Sequence, residues 1–200
     1  MSGKRCTQRR MLAGFLIVLA LSGGAFVILR FRNGVRIEAR QEIMTVADII
    51  CYRQDDVRWG DDRLGESRFT LRSSGCLVSC MASALSMGRG KEETPETLNE
   101  KFTAGRVYDG EGNIQWERLR ELGDYQADVY QEVSAELVDA CLSEGKYPIV
   151  RVRVHGIGSF HFVLVVGAEN GEYLCMDPLQ DGITRLRDYG NRIYAIRCVY

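Results

Sequence analysis

The chain has 200 residues, enough for one domain with a real core plus an appendage. At 46% hydrophobic and 26% charged residues, it is too apolar to be a disordered segment. Five of its 26 basic side chains and none of its 27 acidic ones fall in residues 1–30, so the rest is net acidic, which excludes a nucleic-acid partner reading a basic face.

Residues 1–10 form a basic tail carrying Lys4, Arg5, Arg9 and Arg10. Residues 11–30 hold an uncharged run of 19 residues from Met11 to Leu29. At 1.5 Å per residue that run spans about 28 Å, the thickness of a bilayer's hydrocarbon core. It is read as a single-pass membrane anchor with its N-terminus inside. A cleaved signal peptide is the rival, on the small residues Ser22, Gly23, Gly24 and Ala25. Either reading places the remainder of the chain outside the cytoplasm. Residues 31–45 read as a charged juxtamembrane linker, and residues 46–200 as the folded domain. Six of the seven cysteines lie beyond the apolar run, at spacings unlike those of a small stapled domain. They leave room for one structural bridge whose partners the spacing does not name.

Within the domain, Gly75 to Met87 reads as a helix closed by Gly88. Thr94-Pro95 opens a second helix to about Phe102 with a cap and a first-turn proline. Asn113 is the expected cap of a helix from Ile114 to Leu122, and Ser134 of one from Ala135 to Ser143. The pattern then becomes strand-like over Tyr147–Val154, Phe160–Val166, Glu172–Met176 and Arg192–Val199. Gly156 to Ser159 joins the first two of these strands, and Asn170-Gly171 is a strong hairpin signal between the next two. Helices first and an antiparallel sheet afterwards predict an α+β domain, a helical half packed on a sheet with a cleft between them.

Three residues in this frame carry chemistry together. Ser73-Ser74-Gly75-Cys76 delivers a thiol onto a helix start, where thiolate, the nucleophilic form, is favoured. His161 opens an otherwise apolar strand and can supply an imidazole across the cleft. Asp177, before Pro178, can orient that imidazole and fix its tautomer. Each residue has an ordinary alternative: a buried filler cysteine, a satisfied structural histidine, a turn aspartate. Cys80, one helical turn past Cys76, is assigned to core packing. His155, beside Gly156, is expected to be exposed and is the fallback base. Gln54, in Tyr52-Arg53-Gln54-Asp55-Asp56, is by its own chemistry a surface amide, although such a group can donate to an oxyanion. Asp55, Asp56 and Trp59 look like turn and packing residues. No paired-ligand spacing for zinc is present, and neither a metal nor a cofactor is implied.

Gln54-Asp55-Asp56 with Trp59-Gly60, then Ser74-Gly75-Cys76, His161-Phe162-Val163 and Asp177-Pro178, resembles the papain-like cysteine peptidases of the C39-like group, relatives of the double-glycine bacteriocin-leader peptidases. Tyr189-Gly190 and Ile193-Tyr194-Ala195-Ile196 resemble that group's last strand. The likeness covers about residues 46–200. It implies a papain-like fold with Cys76 as nucleophile, His161 as base, Asp177 as orienting residue and Gln54 as oxyanion donor. The chain departs from the group in carrying Leu77-Val78 where glycine and proline often follow the cysteine. The resulting expectation is a membrane-anchored, extracytoplasmic thiol hydrolase acting on a peptide or protein substrate. The acidic domain points weakly to basic or neutral peptides. The alternative is a non-catalytic cell-surface domain holding a peptide or cell-wall fragment in the same cleft, and a third reading changes the bond to an amide in peptidoglycan.

Overall fold

The computed structural model describes residues 18, 22–24, 31–43 and 49–200. The chain divides into two units, Met1–Gly34 and Val35–Tyr200. In the first, residues 18 and 22–24 are helical. Among the described residues no helix is long and apolar enough to cross a membrane. The expected basic tail lies outside the described residues, as does the expected span over residues 11–30 apart from those four positions.

The second unit is α+β. It opens with β1 (Val35–Arg36), followed by α1 (Leu71–Ser74), α2 (Cys76–Arg89), α3 (Pro95–Ala104) and α4 (Trp116–Glu121). After β2 (Ala127–Tyr130) and α5 (Ala135–Ser143) come β3 (Ile149–Arg153), β4 (Phe160–Glu169), β5 (Glu172–Met176), β6 (Ile183–Arg185), β7 (Arg192–Ile193) and β8 (Ala195–Val199). Six strands pair antiparallel in the order β2–β8–β3–β4–β5–β6, and β1 pairs with β7. Successive side chains of a strand point to opposite faces. Leu164 and Val166 of β4 therefore join one core with α2, α3 and α4, while Val163 and Val165 join another with α5. Both faces are covered, which explains the unbroken apolar run of β4. Only α1 to α4 follow the expected segregation of helices from sheet; α5 packs on the opposite face through Val138 and Leu142.

Local chemistry fixes most boundaries. Thr94 and Ser134 cap α3 and α5 by accepting the N–H groups of Thr97 and Leu137, as predicted. Asn170 and Gly171 both have positive φ, 54° and 77°, and connect Glu169 to its partner Glu172 in a two-residue hairpin. Two predicted ends move. Helix α2 runs through Gly88 to a left-handed Gly90 at φ 62°, the position where a missing Cβ relieves strain. Helix α4 starts at Trp116 after Gln115, because Asn113 is already engaged by Asp109: its N–H and amide donate to that carboxylate at 2.8 and 3.0 Å.

Of the stretch expected as a linker over 31–45, the part from Val35 to Ile43 is built into the domain instead. Val35 and Arg36 lie opposite Ile193 and Arg192. Ile37 is buried and donates to Asn191 O, Ala39 donates to Gly171 O, and Ile43 bridges Ala168. Charged neighbours at alternating positions hide this strap in the sequence. The folded unit thus begins at Val35 and not near residue 46. The six described cysteines are free thiols. Cys141 on α5 and Cys198 on β8 nonetheless bring their sulfurs to 2.9 Å.

Candidate active site

The turn that presents Cys76 is built by backbone crowding. Thr70 caps α1 reciprocally with Ser73, and Gly75 N–H donates to Leu71 O at 2.7 Å. A Cβ on Gly75 would sit 2.5 Å from that carbonyl oxygen, so only glycine lets α1 pass straight into α2. Cys76 is then the first residue of α2, half-buried, at the positive end of the helix dipole. Gly75 offers no side-chain cap, and the first-turn N–H groups remain unclaimed by any side chain. One turn on, Cys80 is fully buried, with its thiol 3.5 Å from Phe162 O. Burial, with nearby negative groups, pushes that thiol well up, as suits a core residue.

His161 is the second residue of β4, opposite Val152 on β3. Its Nε2 lies 2.7 Å from Asp177 Oδ1, and both side chains are almost wholly buried, at 5% and 4% exposure. Asp177 also accepts from the Tyr189 hydroxyl and from Leu179 N–H at 2.8 Å. Burial alone would raise the Asp177 carboxyl, but the His161 bond and charge, then Tyr189 and Leu179, outweigh it and hold the group low. An ionised carboxylate only accepts, so Nε2 carries its proton and Nδ1 is the nitrogen left for the thiol. Cys76 lines the same cleft as His161 and is near enough to act on the imidazole electrostatically. Burial pulls the imidazole down, yet Asp177 and Cys76 together lift it to about 9.

Gln54 is held at the same place by its surroundings. Its backbone N–H donates to Pro178 O at 3.0 Å, tying its loop to the segment after Asp177. Arg72 N–H and Leu71 N–H donate to Gly60 O and Asp62 O, tying that loop to the turn before Cys76 as well. Trp59 anchors the loop from inside, donating to Arg53 O at 2.8 Å. The Gln54 side chain is buried, not at the surface. Its amide donates to Arg72 O at 2.8 Å, with a long 3.4 Å approach to Leu71 O, and its Oε1 has no partner.

Gln54, Cys76 and His161 line one cleft of about 460 Å³, with Asp177 behind the imidazole. His155 is exposed, at φ 50°, and does not line the cleft. Reasoning from sequence misses three residues. Tyr189 looks there like no more than part of a closing strand; in the structure it ends a 3₁₀ turn, Leu186–Tyr189, held by Gly190 at φ 76°. Arg151 and Arg197 enter the cleft from β3 and β8. The alternation Arg151-Val152-Arg153 inside an apolar strand is the signal available for the first of them. No family model matches the chain, and no significant match to a curated protein is found.

Proposed function

We propose that this protein is a thiol hydrolase of papain-like architecture, a cysteine peptidase anchored to the membrane and acting outside the cytoplasm. One observation carries the reading: a cysteine at a helix start shares one cleft with a buried histidine whose Nε2 is held by an aspartate. In this mechanism Cys76 sulfur attacks the carbonyl carbon of a peptide bond. His161 Nδ1 gives its proton to the leaving amine, and Asp177 stabilises the imidazolium through Nε2. The first-turn N–H groups of α2 supply donors for the oxyanion. Water then attacks the thioester, with His161 as base, and releases the acid. The extracytoplasmic assignment rests on the apolar run at residues 11–30.

One observation favours the alternative, a surface domain that binds a peptide or wall fragment without cleaving it. The Gln54 amide is spent on Arg72 O, so a side-chain oxyanion donor is not free as the site stands. Two assays separate the readings. The rate of Cys76 alkylation by iodoacetamide against pH, with His161→Ala in parallel, tests the pair. Reactivity persisting well below about pH 8.5, the ordinary cysteine value, and lost in the variant, supports the enzyme. Digestion of a peptide library and of purified cell wall then reads the bond cleaved. A Cys76→Ala protein that keeps the full biological effect decides for the binding domain.

A further inference from the structure

The cleft carries a second polar cluster that the proposed mechanism does not use. Arg197 on β8 lies opposite Ile149 on β3, and Arg151 lies opposite Ala195. The two arginines are therefore diagonal neighbours on one face of the sheet, at a spacing of about 7–8 Å. Both line the cleft together with Cys76 and His161. Among the described residues, no aspartate or glutamate lines that cleft.

Each guanidinium is held by aromatic faces. Arg151 lies 3.6 Å from the Phe160 ring centroid, and Arg197 lies 5.6 Å from that of Trp116. Phe160 is in turn braced edge-on by Tyr194 at 5.0 Å. Neither guanidinium pairs with a carboxylate among the described residues; Arg197 Nη1 donates to Ile196 O at 2.7 Å. Arg197 Nε is buried without a partner, as are Arg153 Nε and Tyr194 Oη, whose side chains lie around the Phe160 ring. The charges acting on the two are mostly alike: Arg153 on Arg151, and Arg151 on Arg197, after burial itself. Half-buried cations that repel one another and lack a counter-ion are costly unless something outside the protein completes them. Cys76 is also within charge range of Arg151, so an anion placed there would lie next to the reacting sulfur.

We propose that Arg151 and Arg197 form an anion subsite that takes a carboxylate of the substrate next to the bond presented to Cys76. The proposal rests on reading the cleft as the active site, and it names the substrate class: peptides with an acidic side chain or a free chain terminus at that position. Guanidinium forks on aromatic shelves suit a planar carboxylate. The net-acidic surface points to basic or neutral peptides, but a substrate at Cys76 meets the cleft lining and not the average surface.

The test begins without a substrate. Cys76 is alkylated with iodoacetate and with iodoacetamide, which differ in one negative charge. The ratio of the two rates is compared in wild type, Arg151→Gln, Arg197→Gln and Arg197→Lys. The expected result is a ratio that falls about tenfold when either charge is removed and recovers largely in Arg197→Lys. Arg151→Gln, which breaks no hydrogen bond like that of Arg197 Nη1 to Ile196 O, keeps the test valid if Arg197→Gln fails to fold. Iodoacetamide reactivity with an unchanged ratio in every folded variant overturns the subsite and leaves the thiol enzyme standing. Loss of reactivity towards both reagents in wild type overturns the active-site reading, and the subsite with it. Three matched peptides then locate the carboxylate: a neutral amidated one, one with an internal glutamate, and one with a free C-terminus. Faster turnover of the second or third assigns its source, and equal turnover of all three overturns the subsite.

Discussion

Two polar clusters share one cleft and differ in how completely they are satisfied. His161, Asp177 and Tyr189 are buried and mutually bonded, and each Asp177 oxygen accepts at least one donor. Arg151 and Arg197 are half-buried, stacked on rings, and without a carboxylate. A saturated cluster is rigid before any ligand arrives and can hold one proton in one place. An unsaturated cluster stores a cost that a ligand can remove, which is how a site acquires preference.

The largest way to break the contrast is to open the saturated cluster. Asp177→Ala leaves the His161 imidazole buried without its carboxylate and is expected to destabilise the fold by about 3 kcal/mol. Urea unfolding at pH 6 measures it. Asp177→Asn, which keeps the shape, is expected to cut turnover by about 10²-fold or more by releasing the tautomer. Tyr189→Phe removes one donor to the same carboxylate, and about 1–2 kcal/mol of stability is expected to go with it. Arg151→Gln, by contrast, removes a group with no bonded carboxylate and is expected to change the fold's stability by less than any of these. Equal losses for Arg151→Gln and Asp177→Ala would erase the distinction.

The saturated cluster also sets a pH window. The folded His161 value of about 9 lies above its ordinary 6.5, so its contribution is complete below pH 6.5 and disappears as pH rises through 9. Asp177 is held below its ordinary 3.8, so its contribution is present above that value and is lost on further acidification. Thermal melts across the range from acid to pH 9 and beyond are expected to show stability declining between pH 6.5 and 9, and His161→Gln should flatten that limb. Turnover that depends on a protonated His161 should fall over the same upper limb.

A smaller effect tests the turn that presents the thiol. Gly75→Ala brings a methyl group to 2.5 Å from Leu71 O and must shift α1 against α2. The expected cost is about 1–3 kcal/mol, with a slower Cys76 alkylation rate as its local readout.

The contrast between the clusters also bears on what a sequence reveals. Cys76 is legible because serines and a glycine immediately before it specify its turn. His161 and Asp177 stand out against an apolar strand and a Pro-containing turn. Their meeting depends on β4 and β5 pairing across a two-residue hairpin, which Asn170-Gly171 announces. The interior position of Gln54 is not legible, because Pro178, Leu71 and Arg72 fix its loop from other parts of the chain. Arg151 and Arg197 escape notice for the same reason: β3 and β8 are not consecutive, and only their register makes the two charges neighbours. Strands β2 and β6, of four and three residues, are too short for periodicity to declare them.

The thiols of Cys141 and Cys198 join α5 to β8, with β3, β4, β5 and the whole His161–Asp177 pair lying between them in the chain. Hydrogen bonding to Cys198, against the effect of burial and helped by Tyr130 and Lys146, holds the Cys141 thiol below its ordinary value, the direction that favours exchange with an oxidised dithiol once local opening exposes the buried pair. Such exchange closes a loop of nearly sixty residues, and the chain-entropy relation gives a closure of that length about 4 kcal/mol. The same polypeptide would then be a tougher molecule in an oxidising compartment than in a reducing one, with diamide raising its melting temperature and dithiothreitol lowering it. Durability, and not only reactivity, would depend on where the protein is delivered.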